Sequence, residues 1–227
     1  MVREDALYGL HDQSHPNVMT LLPLHIAFAC ILKLHPRLQG LSFAALTVGS
    51  LVPDIEVVFS YLLGLSVFCG WDFPCTLVPD RLVLHSLAGA ITVDVLLTFL
   101  FVKAIGKLKL QRIGIFGFTD VKFSWQFYGS AAIGSISHVL IDWMHHAANP
   151  IFWPLTLGQP PSHYVDGVLL PFMSVFSASF IVAIIGAVLT ILLVVRAFTK
   201  SKYSISELMF NPRAGLSVLT RFLTRER

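Results

Sequence analysis

Residues 167–195 read GVLLPFMSVFSASFIVAIIGAVLTILLVV, and no charged side chain occurs between Asp166 and Arg196. About 20 mostly apolar residues suffice for a helix to cross the hydrocarbon core of a bilayer. This stretch therefore predicts a spanning helix, and it decides the fold class. In lipid a segment must satisfy its backbone N–H and C=O groups without water, which a helix does internally. Outward from it lie further apolar stretches at Val18–Leu34, Leu41–Phe68, Leu82–Val102 and Trp125–Met144. Each of those carries a His, an Asp or both, which weakens its hydropathy but not its apolar character. The expectation is an all-α, polytopic membrane bundle of about five helices.

Composition agrees. Of 227 residues, 55% are hydrophobic and only 13% charged, with a mean hydropathy of +0.74. A soluble domain usually carries about 25% charged residues, because its surface faces water. The net charge of +3 says little about partners; the bilayer is the expected one, and no nucleic acid is. The start, Met1-Val2-Arg3-Glu4-Asp5, is mixed in sign and does not read as a cleaved signal peptide. Cys69 and Cys75 flank a short polar hairpin. They either form a disulfide, if that loop faces an oxidising compartment, or stay as free thiols.

Basic residues give the orientation. With the C-terminus placed in the cytoplasm and five spans threaded back from it, only Arg3 and Arg81 of the 16 Lys and Arg residues fall outside. That is the positive-inside pattern of a multi-pass protein of the plasma or inner membrane. Residues 1–200 then form one membrane-embedded domain. Residues 201–227 are a basic cytoplasmic tail, either an amphipathic helix on the anionic leaflet or a solvated segment.

Ionisable side chains within spans are costly and so are candidates for function. Here they are His25, Asp54, Glu56, His85, Asp94, His138, Asp142, His145 and His146. Neutral imidazole and carboxylate are the ligands of zinc and similar divalent ions. No Lys or Arg lies deep in a span to neutralise the acids, whereas a metal ion would compensate them and use the imidazoles. The clearest pattern is Ser137-His138-Val139-Leu140-Ile141-Asp142-Trp143-Met144-His145-His146. Residues four apart on a helix share a face, which stacks His138 over Asp142, and His145 extends that face. Asp54 follows Pro53, which interrupts the second span; it is either a ligand or a cap on the broken helix. His85 is expected on the helix that opens the third span. His25 alone reads equally as a ligand or a packing histidine. Counted from the span ends, these residues fall in the outer half of the membrane or near its middle, so they can converge on one outward cavity.

Four segments in order resemble the YdjM-type family of membrane-bound metal-dependent hydrolases. They are Pro23-Leu24-His25-Ile26-Ala27-Phe28-Ala29, Gly49-Ser50-Leu51-Val52-Pro53-Asp54, the His85-Ser86-Leu87-Ala88-Gly89 run, and Ser137 to Asp142. Pro150-Ile151-Phe152-Trp153-Pro154 is similar as well, so the resemblance covers roughly residues 20–155. It implies an all-helical metal core related to zinc-dependent phospholipase C and the fungal zinc nucleases. By the same resemblance His25, Asp54, His85, His138 and Asp142 would be metal ligands, with Asp54 a candidate bridge between ions. The cofactor implied is zinc, as one to three ions. Before His85 the chain departs from the family pattern: Arg81-Leu82-Val83-Leu84 stands where a His-Arg-Gly-x-Thr run is expected. One ligand is thereby lost, and His145 or His146 is the candidate replacement.

The function expected is a membrane-embedded metal-dependent hydrolase of a phosphoester in a lipid or lipid-linked substrate. Asp54 would belong to the catalytic set, with His145 or Glu56 as general base or proton relay. Arg81 would either steady an anionic headgroup or mark the membrane interface. The alternative is a metal or proton transporter or accessory protein that uses the same cluster without hydrolysis, to which Asp94 in mid-span is suited. A bis-histidine haem protein would not need the matched carboxylates Asp54 and Asp142.

Overall fold

The computed structural model of the protein describes residues 22–34, 40–63, 81–107, 122–146, 149–155 and 167–199, together with Leu38 and Val218. Among the described residues the chain forms helices and no strand. They are α1 (Leu22–Leu34), α2 (Phe43–Gly49), α3 (Asp54–Leu62), α4 (Leu87–Ile91), α5 (Val93–Lys107), α6 (Trp125–His145) and α7 (Val175–Thr199). The Cys69/Cys75 loop lies outside the described residues, as do residues 201–217 and 219–227.

The apolar stretches map onto these helices with one systematic difference. The second stretch is divided into α2 and α3, and the third into α4 and α5. Pro53 explains the first division: it has no N–H to donate, and α3 starts directly after it. The second division falls at Thr92, whose N–H bonds the Gly89 carbonyl at 3.0 Å while its hydroxyl donates to the Ala88 carbonyl at 2.6 Å. Among the described residues only α7 is both long and apolar enough to cross a bilayer alone. Helix α1, at 13 residues, rises about 20 Å against a core of about 30 Å. Helix α6 has 21 residues, but serines, a histidine and an aspartate interrupt its apolar run. The expected spans are shorter or more polar because the residues gathered at the site lie within them.

Serine caps start three helices. Ser42 accepts from the Ala45 N–H at the start of α2, Ser86 from Gly89 at α4, and Ser124 from Phe127 at α6. Each satisfies one of the amide donors that a helix start leaves unpaired.

Helix α6 is central, packing on α1, α2, α4, α5 and α7, while α1 lies along α7. Small residues let α2 and α6 approach closely, as in membrane bundles generally. A Cβ added at Gly49 would run into the Ala131 backbone, and one at Gly134 into the Leu46 carbonyl oxygen, with the Ser50 nitrogen 3.0 Å away. Overpacking of this kind costs about 1–3 kcal/mol. Gly134→Ala is therefore expected to lower the melting temperature of the detergent-solubilised protein, and a wild-type melting curve would refute this packing. The same contact holds Ser50, whose carbonyl is used by His138.

The burial pattern of α5 and α6 is in part inverted relative to a protein in water, although Val95, Val102, Phe127 and Val139 are buried too. On α5 the buried residues include Asp94 and Thr98, while Val93, Leu96, Leu100 and Phe101 are exposed. On α6 the buried set includes Ser130, Ser135, Ser137, His138, Asp142 and His145, while Leu140 and Met144 face outward. The Ser135 hydroxyl donates to the Asp94 carboxylate, pinning α5 to α6 through a buried polar contact.

Candidate metal centre

The site forms where the start of α3 and the turn before α4 meet the C-terminal half of α6. From α6, His138 and Asp142 point to one side, one turn apart as their spacing requires. The break at Pro53 brings Asp54 to the start of α3. His85 lies in the turn before α4, held there by Glu56, rather than on the helix expected from the sequence. Its neighbour Ser86 is occupied as the α4 cap. His25 comes from α1.

Asp142 is the hub. Its carboxylate lies 3.4 Å from Nε2 of His138, 3.6 Å from Nε2 of His85 and 3.5 Å from Nε2 of His25. Arg81 Nη2 is 3.7 Å away and His146 Nε2 is 3.8 Å away. On the far side His138 Nε2 is 3.6 Å from the Asp54 carboxylate. Asp54, His85, His138 and Asp142 each offer one ligand atom within 4.8 Å of those of the others, so this group could hold a metal ion. A second such group, Asp142, His145 and His146, shares Asp142 with it. His25 belongs to neither group, although its ring stacks on His138 with centroids 3.9 Å apart.

The imidazoles are held with a defined nitrogen inward. His138 Nδ1 is 2.8 Å from the Ser50 carbonyl oxygen, which can only accept, so Nδ1 carries the proton and Nε2 keeps its lone pair. His145 repeats this with the Ile141 carbonyl at 2.6 Å. For His85 the partner is Glu56, 3.2 Å from Nδ1. The Glu56 carboxylate also accepts the backbone N–H groups of Leu82 and Val83 at 2.9 Å and of Leu84 at 3.1 Å. Such outer partners fix the tautomer and orientation of metal-binding histidines.

The arrangement passes a physical test for a metal. Nε2 of His25, His85, His138 and His145 is in each case buried without a hydrogen-bond partner. An unsatisfied buried polar atom costs about 1–3 kcal/mol, and a divalent cation would satisfy several at once. Nitrogen and carboxylate oxygen donors around a buried acid are the donor set of zinc and its neighbours.

The structure thus brings together His25, Asp54, His85, His138 and Asp142, with Arg81, His145 and Glu56 beside them. Glu56 is committed to the Leu82–His85 turn, an occupancy that fits positioning better than proton transfer. No local pattern signals these contacts, which link positions 26 to 29 residues apart. The Ser50 carbonyl, 88 residues from His138, was equally hidden. Asp94 lies in neither metal group.

A family model described as "YdjM inner membrane protein" matches residues 20–218 of the chain. No curated protein and no solved structure matches it.

Proposed function

The chain belongs to the YdjM inner membrane protein family, and from that premise we propose that it is a multi-pass, metal-dependent hydrolase of a phosphoester in a lipid or lipid-linked substrate. The observation that carries the reading is the set of imidazole Nε2 atoms converging on Asp142, with their Nδ1–H groups fixed by Glu56 and Ser50. Packing histidines do not need two independent orienting partners; preorganised ligands do. His25 counts as a further ligand because both its ring nitrogens are buried without a hydrogen bond, one of them 3.5 Å from Asp142. Zinc suits the donors, and the number of ions is taken up below.

The partly inverted burial of α5 and α6 supports several spans rather than one. Contiguous exposed apolar faces are rare on soluble monomers, and buried aspartate, serine and histidine behind them are typical of a bundle whose solvent is lipid. In this reading α2 with α3, and α4 with α5, form two broken spans, and the break between α2 and α3 lines the site at Asp54. The distribution of basic residues supports a cytoplasmic C-terminus and a site toward the outer face.

A divalent ion held there would act as a Lewis acid, polarising a phosphoryl oxygen and making water nucleophilic near neutral pH. The chain supplies the rest. Arg81, beside Asp142 at 3.7 Å, is positioned to bind an anionic oxygen through its planar fork of donors. The Asp54 side chain is 36% exposed, against 3% for Asp142. Asp54 is therefore the carboxylate suited to take a proton from the attacking water and release it outward.

The buried acid Asp94, with one carboxylate oxygen unpartnered, favours the second reading, a metal or proton transporter. Elemental mass spectrometry of the purified, detergent-solubilised protein, followed by headgroup or phosphate release from phosphoester lipids, separates the two. Near-stoichiometric zinc or manganese and chelator-sensitive release are expected. Metal without cleavage of any such lipid would leave the transporter, to be tested by uptake into proteoliposomes. No metal, even after incubation with zinc, would remove the hydrolase.

A further inference from the structure

Asp142, His145 and His146 form the second ligand group at the C-terminal end of α6, and its two histidines are not accounted for by the first. We infer that the centre is binuclear: these three residues hold a second divalent cation, and the Asp142 carboxylate is common to both ions. The inference rests on the metal-dependent reading of the same site and deepens it by fixing how many ions the site takes and which residue joins them.

Register makes the group possible. Counting from Asp142, the two histidines lie at i+3 and i+4, the positions that share a helix face. The helix then stops. His146 is the C-cap, its N–H bonding the Asp142 carbonyl at 2.8 Å, and its extended backbone turns the ring back toward the carboxylate. The two imidazoles lie with centroids 4.2 Å apart, and His146 Nε2 is 3.8 Å from Asp142.

His145 is the independent observation that points to a ligand. It is fully buried, its Nδ1–H is spent on the Ile141 carbonyl, and its Nε2 has no hydrogen-bond partner. A proton carrier would need a neighbour to receive the proton from Nε2. A ligand needs only the ion. The location helps as well, because the C-terminal end of α6 presents partial negative charge, which favours a cation there.

The two positions are not equivalent. The first group has two carboxylates, Asp54 and Asp142, whereas the second has only its share of Asp142. The second ion therefore binds more weakly and fills after the first. With three protein ligands it keeps an open coordination position for an oxygen of the substrate phosphate. Two ions flanking one phosphoryl group is an arrangement recurrent in phosphoester hydrolysis.

The test uses the full-length metal-free protein in detergent, titrated with zinc by calorimetry, and separately loaded with manganese(II) for electron paramagnetic resonance. Wild type is expected to take two equivalents, the second more weakly, and to give the spectrum of an exchange-coupled manganese pair. His145→Ala/His146→Ala should take one equivalent and give only the signal of isolated manganese. One equivalent and an isolated signal in the wild type would overturn the second site while leaving the first, whatever the variant does. Two equivalents in both proteins would place the second ion elsewhere and also overturn it. No binding in the wild type would remove the metal-dependent reading, and the second site with it.

Discussion

Asp142→Ala is expected to strip the protein of bound metal and to lower its stability more than any other single substitution at the site. The side chain is almost fully buried and lies within 3.8 Å of nitrogen atoms from His25, Arg81, His85, His138 and His146. Removing one partner of a buried charge pair leaves the other uncompensated and costs about 3–5 kcal/mol. Here the group left behind is an Arg81 guanidinium together with a packed set of imidazoles. The loss also exceeds that of an outer partner, for which about 10–100-fold in metal affinity is typical, because both ligand groups contain Asp142. Elemental analysis after zinc loading, with a thermal melt in the same detergent, reads both effects. Asp142→Asn separates them. The amide keeps the shape and one acceptor oxygen, so metal should still be lost while the melting temperature falls less. Near-stoichiometric zinc in Asp142→Ala would mean that the centre is not built on this residue.

How much of this was legible in the sequence depends on how far apart the interacting residues are. His138 and Asp142 were readable because a helix brings i and i+4 together wherever it forms. The break before Asp54 was readable because Pro53 announces it. The break at Thr92 was not: neither proline nor glycine occupies that position, and a β-branched residue within an apolar run reads equally well as helix interior. His85 was expected on a helix and lies in a turn. That turn is held by a carboxylate from α3, and no local propensity encodes a contact across 29 residues. The number of spans was harder still. Hydropathy marks a span by its lack of polar residues, yet in this chain the polar residues gathered at the site are what dilute the apolar runs. Among the described residues only α7, which contributes none of them, retains the full signature. The same polar residues carried the expectation of a metal centre, so what obscured the topology is what revealed the chemistry.

Glu56 decides whether the outer shell of the site positions a ligand or moves a proton. Its two oxygens accept three consecutive backbone N–H groups, at Leu82, Val83 and Leu84, and face the His85 ring. Glu56→Ala would leave those amides without an acceptor and free the His85 ring to turn. The expected result is a fall of about 10–100-fold in metal affinity, the range seen when outer partners of ligand histidines are removed. Glu56→Gln is the sharper variant. The amide retains an acceptor oxygen for some of the backbone donors but has no charge to hold the His85 Nδ1–H. If Glu56 positions His85, the glutamine variant should lose metal affinity by an intermediate amount, and saturating zinc should restore most of its turnover. If Glu56 were instead the general base, the glutamine variant would bind zinc like wild type and stay inactive at every zinc concentration. A zinc titration read by calorimetry and by phosphoester cleavage distinguishes the two. The geometry favours the first, because both Glu56 oxygens are already taken up by the three amides and one of them also faces the His85 ring.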